Sequence, residues 1–292
     1  MNLLEDCDFP APGSAVDLAV SGGPDSLGLL LLALDARLKV TVHHVDHHAR
    51  SDSTDDAHYV VEVCDRFAVR CVVHDVVVAH EEGNFEALAR SARRRVLPEG
   101  SLTGHTMDDL AETVLLNMLR GAGLEGLSPM INDVTKPLRR VRRRDLHYFV
   151  ADSGLQPRYD ETNDSPAFRR NRVRHELLPI MNDVAGRDVV PLLERQARVV
   201  HEDRAWLDDL ARADLLLSLE VADCRELSQW APARLTRWLR TRLSTQASTG
   251  ETYPPSADEI ARACEVVRGE VVACELSGAR RLARSAQRLT LY

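Results

Sequence analysis

Residues 15–26 read AVDLAVSGGPDS, and this stretch decides the fold. Its first half, Ala15–Val20, is apolar and short, as expected of a buried strand. The second half is a glycine-containing turn, and an apolar helix is predicted from Ser26 to Leu38. A strand, a tight turn and a helix in this order form the first unit of a parallel α/β sheet.

The turn between this strand and helix has the chemistry of an anion site. Adjacent glycines let the backbone approach a ligand closely, and the helix directs its free N–H groups and positive dipole end to the same point. Asp25 adds a negative charge, which Mg²⁺ bridging Asp25 and the phosphates of a ligand would balance. The turn does not have the Walker pattern G-x-x-x-x-G-K-[ST], which argues against kinase-like phosphoryl transfer. The whole string instead resembles the PP-loop signature S-G-G-x-D-S of ATP pyrophosphatases, which implies that ATP contacts Ser21, Gly22, Gly23, Pro24, Asp25 and Ser26.

The alternation of strands and helices continues through the first half of the chain. Further strands are predicted at Val40–Val45, Arg70–Val78 and Leu102–Gly104, with helices at 55–67, 84–97 and 107–120. This repetition predicts a doubly wound parallel sheet, in which ligands bind beyond the carboxyl ends of the strands.

Beyond residue 178 the strand signal fades. Helices are predicted at 190–219, 227–243 and 257–267, a loop at 244–255, and a β-hairpin that turns at Ser277–Gly278. We therefore expect two domains: residues 1–185 would hold ATP, and residues 186–292 would form a mainly helical domain with a small β end.

Composition is typical of a soluble cytoplasmic protein. The N-terminal segment does not resemble a signal peptide, and the longest apolar run, Leu27–Leu34, is too short to span a bilayer. The six cysteines contain no C-x-x-C pair, so they are expected to be reduced thiols. The net charge is −8, yet residues 136–175 contain eleven Lys or Arg and only five Asp or Glu. Such a basic stripe can bind phosphates, although a solvated helix face is the simpler interpretation.

Acidic residues follow two of the predicted strands. Asp46 ends the second strand, where an acidic side chain can reach the ribose or base of a nucleotide. Asp108 and Asp109 begin a predicted helix, and Asp108 shares a helix face with Glu112. Carboxylates at a helix N-terminus often act only as caps. The functional alternatives are that they hold Mg²⁺, capture a substrate ammonium group, or accept its proton.

The sequence RRNRVRHELLP at residues 169–179 concentrates positive charge within the basic stripe. A basic helix face is the simple explanation, but beside an ATP site these side chains would contact triphosphate and RNA backbone. Arg172 and Arg174 are the two candidates for catalysis in this segment.

Together these strings resemble the tRNA(Ile)-lysidine synthases, which are PP-loop ATP pyrophosphatases. The resemblance covers roughly residues 16–179 and is weaker up to the C-terminus. It rests on SGGPDS, HVDH, EALARSAR, GHTMDDLAETVLLNMLRGAGLEGL, KPL, DETNDS and RRNRVRHELLP.

The resemblance implies a two-step ligation of L-lysine to the wobble cytidine of tRNA(Ile). ATP, held by the PP loop with Mg²⁺ at Asp25, would adenylate the base, and the lysine amine would then displace AMP. It further implies that Asp108 or Asp109 holds and deprotonates the amine, while Arg172 and Arg174 stabilise phosphate charge. The sequence leaves the oligomeric state open, with a homodimer among the possibilities.

Two other functions remain open at this point. A PP-loop tRNA thiolase would adenylate a base and then deliver sulfur, usually with the help of cysteines near the PP loop. A non-catalytic RNA-binding protein would use only the basic stripe, but the intact PP-loop string and both aspartates disfavour it.

Overall fold

The computed structural model describes residues 2–46, 53–76, 92–93, 95–158, 165, 168–212, 214–246 and 252–292. The chain forms two compact units, Met1–His201 and Glu202–Tyr292. The expected domain boundary at residue 185 stays a prediction about where the ATP-binding part ends. No helix in the described ranges is long and apolar enough to cross a membrane.

The first unit is built on a parallel sheet of order β1-β2-β3, and Leu102 adds an isolated parallel bridge to Leu18 of β1. The predicted strand at Leu102–Gly104 is therefore reduced to one bridge. The elements of this unit are β1 (Ala15–Ala19), α1 (Pro24–Asp35), β2 (Lys39–Asp46), α2 (Ser53–Arg66), β3 (Arg70–Asp75), α3 (Met107–Leu119), α4 (Leu124–Leu127), α5 (Arg143–Asp152), α6 (Arg169–Arg172), α7 (Leu178–Ala185) and the start of α8 (Val190–Ala211).

The core of the first unit packs α1 between the sheet and α5. Leu18 and Val42 from the sheet are fully buried, as is Leu146 of α5. Gly28 of α1 allows this contact, since a Cβ at that position would lie 2.4 Å from Leu146 Cδ1. The close packing holds the N-terminus of α5 beside the N-terminus of α1, where the predicted ATP site lies.

A π-helical turn, Val173–Leu177, joins α6 and α7 without leaving helical backbone angles. Its buried residue Val173 belongs to a small apolar cluster with Leu178 of α7 and with Ala111 and Leu115 of α3. This cluster packs the arginine-rich residues 169–179 against α3.

The second unit has its own core around Trp238, which packs with Leu235, Ile260 and Leu282. Its elements are the end of α8, α9 (Cys224–Leu227), α10 (Pro232–Leu243), β4 (Thr245–Gln246), β5 (Thr252–Tyr253), α11 (Ala257–Arg268), β6 (Ala273–Leu276), β7 (Arg280–Ser285) and β8 (Arg288–Leu291). The prediction of a mainly helical unit with a small antiparallel β end is confirmed.

Several element boundaries differ from the predictions for local physical reasons. The first helix starts two residues early because Pro24 suits its first turn. The helix predicted at 227–243 is present but starts later, at Pro232, which suits a first helical turn, and Leu227 instead ends the short helix α9. Most of the helix predicted at 84–97, together with residues 77–78 of a predicted strand and the DETND string, lies outside the described residues.

Candidate active site

The turn between β1 and α1 is held in shape by its two serines. Ser26 Oγ donates to Gly23 O at 2.9 Å and accepts from the Ser21 backbone N–H at 3.1 Å. Gly22 has φ +87°, a value that side chains disfavour, and Gly23 occupies the N-cap of α1 without a side chain of its own. The first-turn N–H groups of α1 therefore face the turn, as an anion site requires.

Gly104 brings the chain that precedes α3 into direct contact with this turn. A Cβ on Gly104 would lie 2.5 Å from Asp25 O and 3.1 Å from Ser26 N. The PP-loop sequence and the start of α3 are thus packed backbone to backbone.

Asp25 is paired with two cationic or titratable side chains from α5. Its Oδ1 lies 2.8 Å from His147 Nε2, and its Oδ2 lies 3.4 Å from Arg143 Nε. One third of the Asp25 side chain remains exposed. Its neighbour Pro24 and its partner His147 line a cleft together with Arg158. Asp25 is therefore partly accessible from solvent, next to this cleft.

Asp109 combines a capping role with an ion-pair role. Its Oδ2 accepts from the backbone N–H and the hydroxyl of Thr106, both at 2.7 Å, which closes a capping box at the start of α3. Its Oδ1 accepts from Arg143 Nη2 at 2.7 Å and from Arg170 Nη2 at 3.0 Å. Asp109 is therefore a helix cap through Oδ2 and an ion-pair partner through Oδ1.

Glu112 is the centre of the cluster. It is fully buried, and it accepts hydrogen bonds from three guanidinium groups at 2.7–2.8 Å, those of Arg143, Arg170 and Arg174. A buried charge requires such pairing, because removal from water is otherwise very costly.

Asp108 points to a different set of partners. Arg142 donates to both of its oxygens, at 3.0 and 3.1 Å, and the Arg143 backbone N–H donates to Oδ2 at 2.7 Å. Asp108 therefore caps the N-terminus of α5 from another helix.

The electrostatics keep all three carboxylates of α3 ionised. Burial favours a raised pKa in each case, but the hydrogen bonds and charges of the neighbouring arginines outweigh it, so the pKa values of Asp108, Asp109 and Glu112 all lie below their usual range. Burial also opposes the charge of Arg143, yet the surrounding carboxylates raise its pKa.

The structure gathers most of the predicted site residues and separates one of them. Asp46 is buried at the end of β2, at the same sheet edge as the PP loop. Arg174 joins the cluster, whereas Arg172 is mostly exposed and pairs with Glu176. Sequence reasoning did not assign Arg142, Arg143 or His147 to the site, although all three lie within the basic stripe at residues 136–175.

Fold and site together define a PP-loop protein, and comparison with known proteins agrees. Residues 2–181 match the PP-loop domain family. A tRNA(Ile)-lysidine synthase of Nocardia farcinica (strain IFM 10152) is 38% identical over 240 residues, covering 78% of this chain and 75% of that protein. One from Thermobifida fusca (strain YX) is 35% identical, covering 86% and 81%. The chain therefore belongs to the tRNA(Ile)-lysidine synthase family, as its motifs predicted, and it is an ATP-dependent ligase.

One solved structure supports the fold alone. The U34-tRNA thiolase NcsA from Methanococcus maripaludis with its [4Fe-4S] cluster aligns with a TM-score of 0.52 at 14% identity, covering 68% of this chain and 76% of that chain.

Proposed function

We propose that this protein joins L-lysine to the wobble cytidine of tRNA(Ile) through an adenylated base. The observation that carries the proposal is the connection of Asp25, in the PP loop, to Asp109 and Glu112 through the single guanidinium group of Arg143. ATP and an amine bound at these two places would lie side by side. We also propose a cytoplasmic location, where tRNA is available.

The PP loop would hold the phosphates of ATP through its backbone N–H groups and the N-terminus of α1. Asp25 fits a magnesium ligand, since its carboxylate is partly exposed and Mg²⁺ commonly binds one carboxylate together with substrate phosphates. Mg²⁺ bound there would neutralise phosphate charge. Asp46, at the same sheet edge, is proposed to contact the nucleoside part of ATP.

In the first step, the cytosine carbonyl oxygen attacks the α-phosphorus. The new P–O bond forms as the bond to pyrophosphate breaks, which converts a poor leaving oxygen into a good one. In the second step, the lysine ε-amine attacks the ring carbon that bears the adenylated oxygen. The C–N bond forms as the C–O bond to AMP breaks, and the nitrogen releases its proton to water.

Arg170 and Arg174 are the arginines best placed to move to the phosphates. Their side chains are 36% and 27% exposed, whereas Arg143 is 13% exposed. When Arg170 and Arg174 turn to ATP, Asp109 and Glu112 would keep only Arg143 as a cationic partner. The two carboxylates would then carry more negative charge than Arg143 balances. That charge would attract an ammonium group.

These contacts refine the roles expected of the neighbouring aspartates. Asp109 lies beside Glu112 and becomes the amine-binding candidate, whereas Asp108 is occupied in capping α5. A carboxylate with a lowered pKa is a weak base, so we assign Asp109 to hold the ammonium group rather than to deprotonate it. Arg172, paired with Glu176 on the surface, is proposed to contact RNA backbone, and residues 186–292 to contact tRNA beyond the reacting base.

The thiolase alternative receives little support from most of the thiols. Burial raises the pKa of Cys7 to about 12 and also raises the pKa values of Cys224, Cys264 and Cys274, which makes these four thiols poor nucleophiles. The hydrogen bond between Cys64 and Cys71 raises the pKa of Cys64 and lowers that of Cys71, so Cys71 on β3 is the thiol that a thiolase mechanism would have to use. Replacing all six cysteines with serine should leave lysine transfer intact.

The decisive experiment is incubation with ATP, isotopically labelled lysine and a tRNA(Ile) transcript with a CAU anticodon, followed by nucleoside analysis. We expect one labelled nucleoside and equal amounts of AMP and pyrophosphate. An Asp25→Asn variant serves as the negative control. Sulfur incorporation from a persulfide donor, or AMP formation that does not depend on tRNA, would contradict the proposal.

A further inference from the structure

Arg143 occupies a position that helix stability alone does not favour. It is the first residue of α5, and with Arg142 and Arg144 it places three positive charges at the positive end of the helix dipole. Its backbone N–H is held by Asp108, which fixes the start of the helix. The side-chain contacts of Arg143, rather than the stability of α5, therefore explain an arginine at this position.

The guanidinium group of Arg143 contacts three carboxylates from two elements. Nη2 donates to Asp109 and Nη1 to Glu112 in α3, at 2.7 and 2.8 Å. Nε lies 3.4 Å from Asp25 Oδ2, close enough for an ion pair, yet this buried nitrogen makes no hydrogen bond. Two of the three guanidinium nitrogens, Nη1 and Nη2, are thus bound to α3, whereas Nε faces the PP loop and makes no hydrogen bond.

We propose that Arg143 is a positioning residue that sets the distance between the ATP-binding turn and the amine-binding carboxylates. This inference rests on the proposed function. The contact between Nε and Asp25 is long, at 3.4 Å, and would tighten when Asp25 moves to meet its ligand, as hydrogen bonds in active sites often do.

Lysine cannot replace Arg143 in this role. An ammonium group is a compact charge on a flexible stem, whereas the guanidinium group holds its donors in a fixed plane and can address separate acceptors at once. Arg143→Lys would preserve the charge but loosen the link to Asp25. A displacement of about 1 Å at reacting groups can lower a rate by about 100-fold.

The test compares Arg143→Lys with the wild-type protein in steady-state lysidine formation at saturating ATP, lysine and tRNA. We expect kcat to fall by roughly 100-fold, while the KM for tRNA stays within twofold because Arg143 faces the PP loop. Wild-type kcat in folded Arg143→Lys protein would overturn the proposal. Failure of the proposed function is distinguishable, since the wild-type protein itself would then form no lysidine.

Arg142→Lys is the matched comparison. Arg142 is buried to the same degree and also pairs with two carboxylates, Asp108 and Asp188, but it has no ion pair with Asp25. We expect a similar fall in melting temperature for both variants and a clearly smaller fall in kcat for Arg142→Lys. Equal losses of kcat would show that only the docking of α5 matters.

A second variant covers the outcome in which Arg143→Lys does not fold. The single variant Arg143→Gln keeps an amide that can donate to one carboxylate, while Asp109 and Glu112 retain their hydrogen bonds from Arg170 and Arg174. We expect it to fold and to be at least 100-fold slower than wild type. A wild-type kcat in folded Arg143→Gln protein would overturn the proposal.

Discussion

Gly104 has no room for a side chain, and Gly104→Ala should therefore displace the PP loop. An added Cβ would lie 2.5 Å from Asp25 O, 2.8 Å from Asp25 C and 3.1 Å from Ser26 N. All three are backbone atoms at the start of α1, so none can rotate away. The only relief is a shift of the two backbone segments relative to each other.

The size of that shift follows from the distances. Real Cβ atoms essentially never approach other atoms within 3.0 Å, and ordinary contacts begin at 3.4 Å, so the segments must separate by at least 0.5 Å, and by 0.9 Å for full relief. Overpacking of this kind costs about 1–3 kcal/mol. In a unit of this size it lowers the melting temperature by about 2–4 °C per kcal/mol. A displacement approaching 1 Å should lower the reaction rate by about 10².

Pyrophosphate release at saturating lysine and tRNA, measured over a range of ATP concentrations, reports the change. We expect a higher KM for ATP and a lower kcat in protein that circular dichroism shows to be folded. Gly123→Ala is the control, because a Cβ there meets nothing within 4 Å and the residue has φ −77°. Wild-type ATP kinetics in Gly104→Ala would refute the view that this contact sets the geometry of the loop.

Two further predictions concern the carboxylate cluster. Glu112→Gln removes one carboxylate from the three guanidinium groups that it pairs with, and it should lower the free energy of unfolding, measured with urea, by about 3–5 kcal/mol. Glu176→Gln is the control, since Glu176 belongs to an exposed ion pair, and it should leave the urea midpoint unchanged. Acid should also destabilise the folded protein, because folding lowers the pKa of Asp108 from 3.8 and that of Glu112 from 4.5. The two ionised carboxylates therefore add to the free energy of unfolding above those pH values. This stabilisation is lost as the pH falls through the lower pKa values of the folded protein. Urea unfolding from pH 6 to pH 3 measures this loss, and a Glu112→Gln protein that showed the same steepness would contradict it.

The sequence predicts the elements of the site well because their signals are local. The string Ser21–Ser26 sets a turn whose geometry depends on its own glycines and serines. The start of α3 is equally local, since Thr106 and Asp109 cap it within four residues.

The ion-pair network could not be predicted in the same way. Glu112 meets Arg143, Arg170 and Arg174 only after the chain has folded, across separations of 31 to 62 residues. A run of arginines shows that positive charge is abundant but does not show which members pair and which stay in solvent. Arg172 and Arg174 lie two positions apart, and the sequence predicted both as catalytic candidates for the same reason. In the structure Arg172 pairs with Glu176 at the surface, whereas Arg174 pairs with the buried Glu112.

The π-helical turn at Val173–Leu177 lets this part of the protein change its length without changing its faces. A π turn holds about one residue more than an α turn, and each residue of an α-helix rotates the chain by about 100°. Losing one residue such as His175 would convert the π turn into an α turn that still completes about a full rotation, so Leu178 would keep facing the apolar cluster while Arg170 stayed bonded to Glu112. The same deletion within a regular helix such as α3 would rotate every later residue by about 100° and carry its side chains off the buried face.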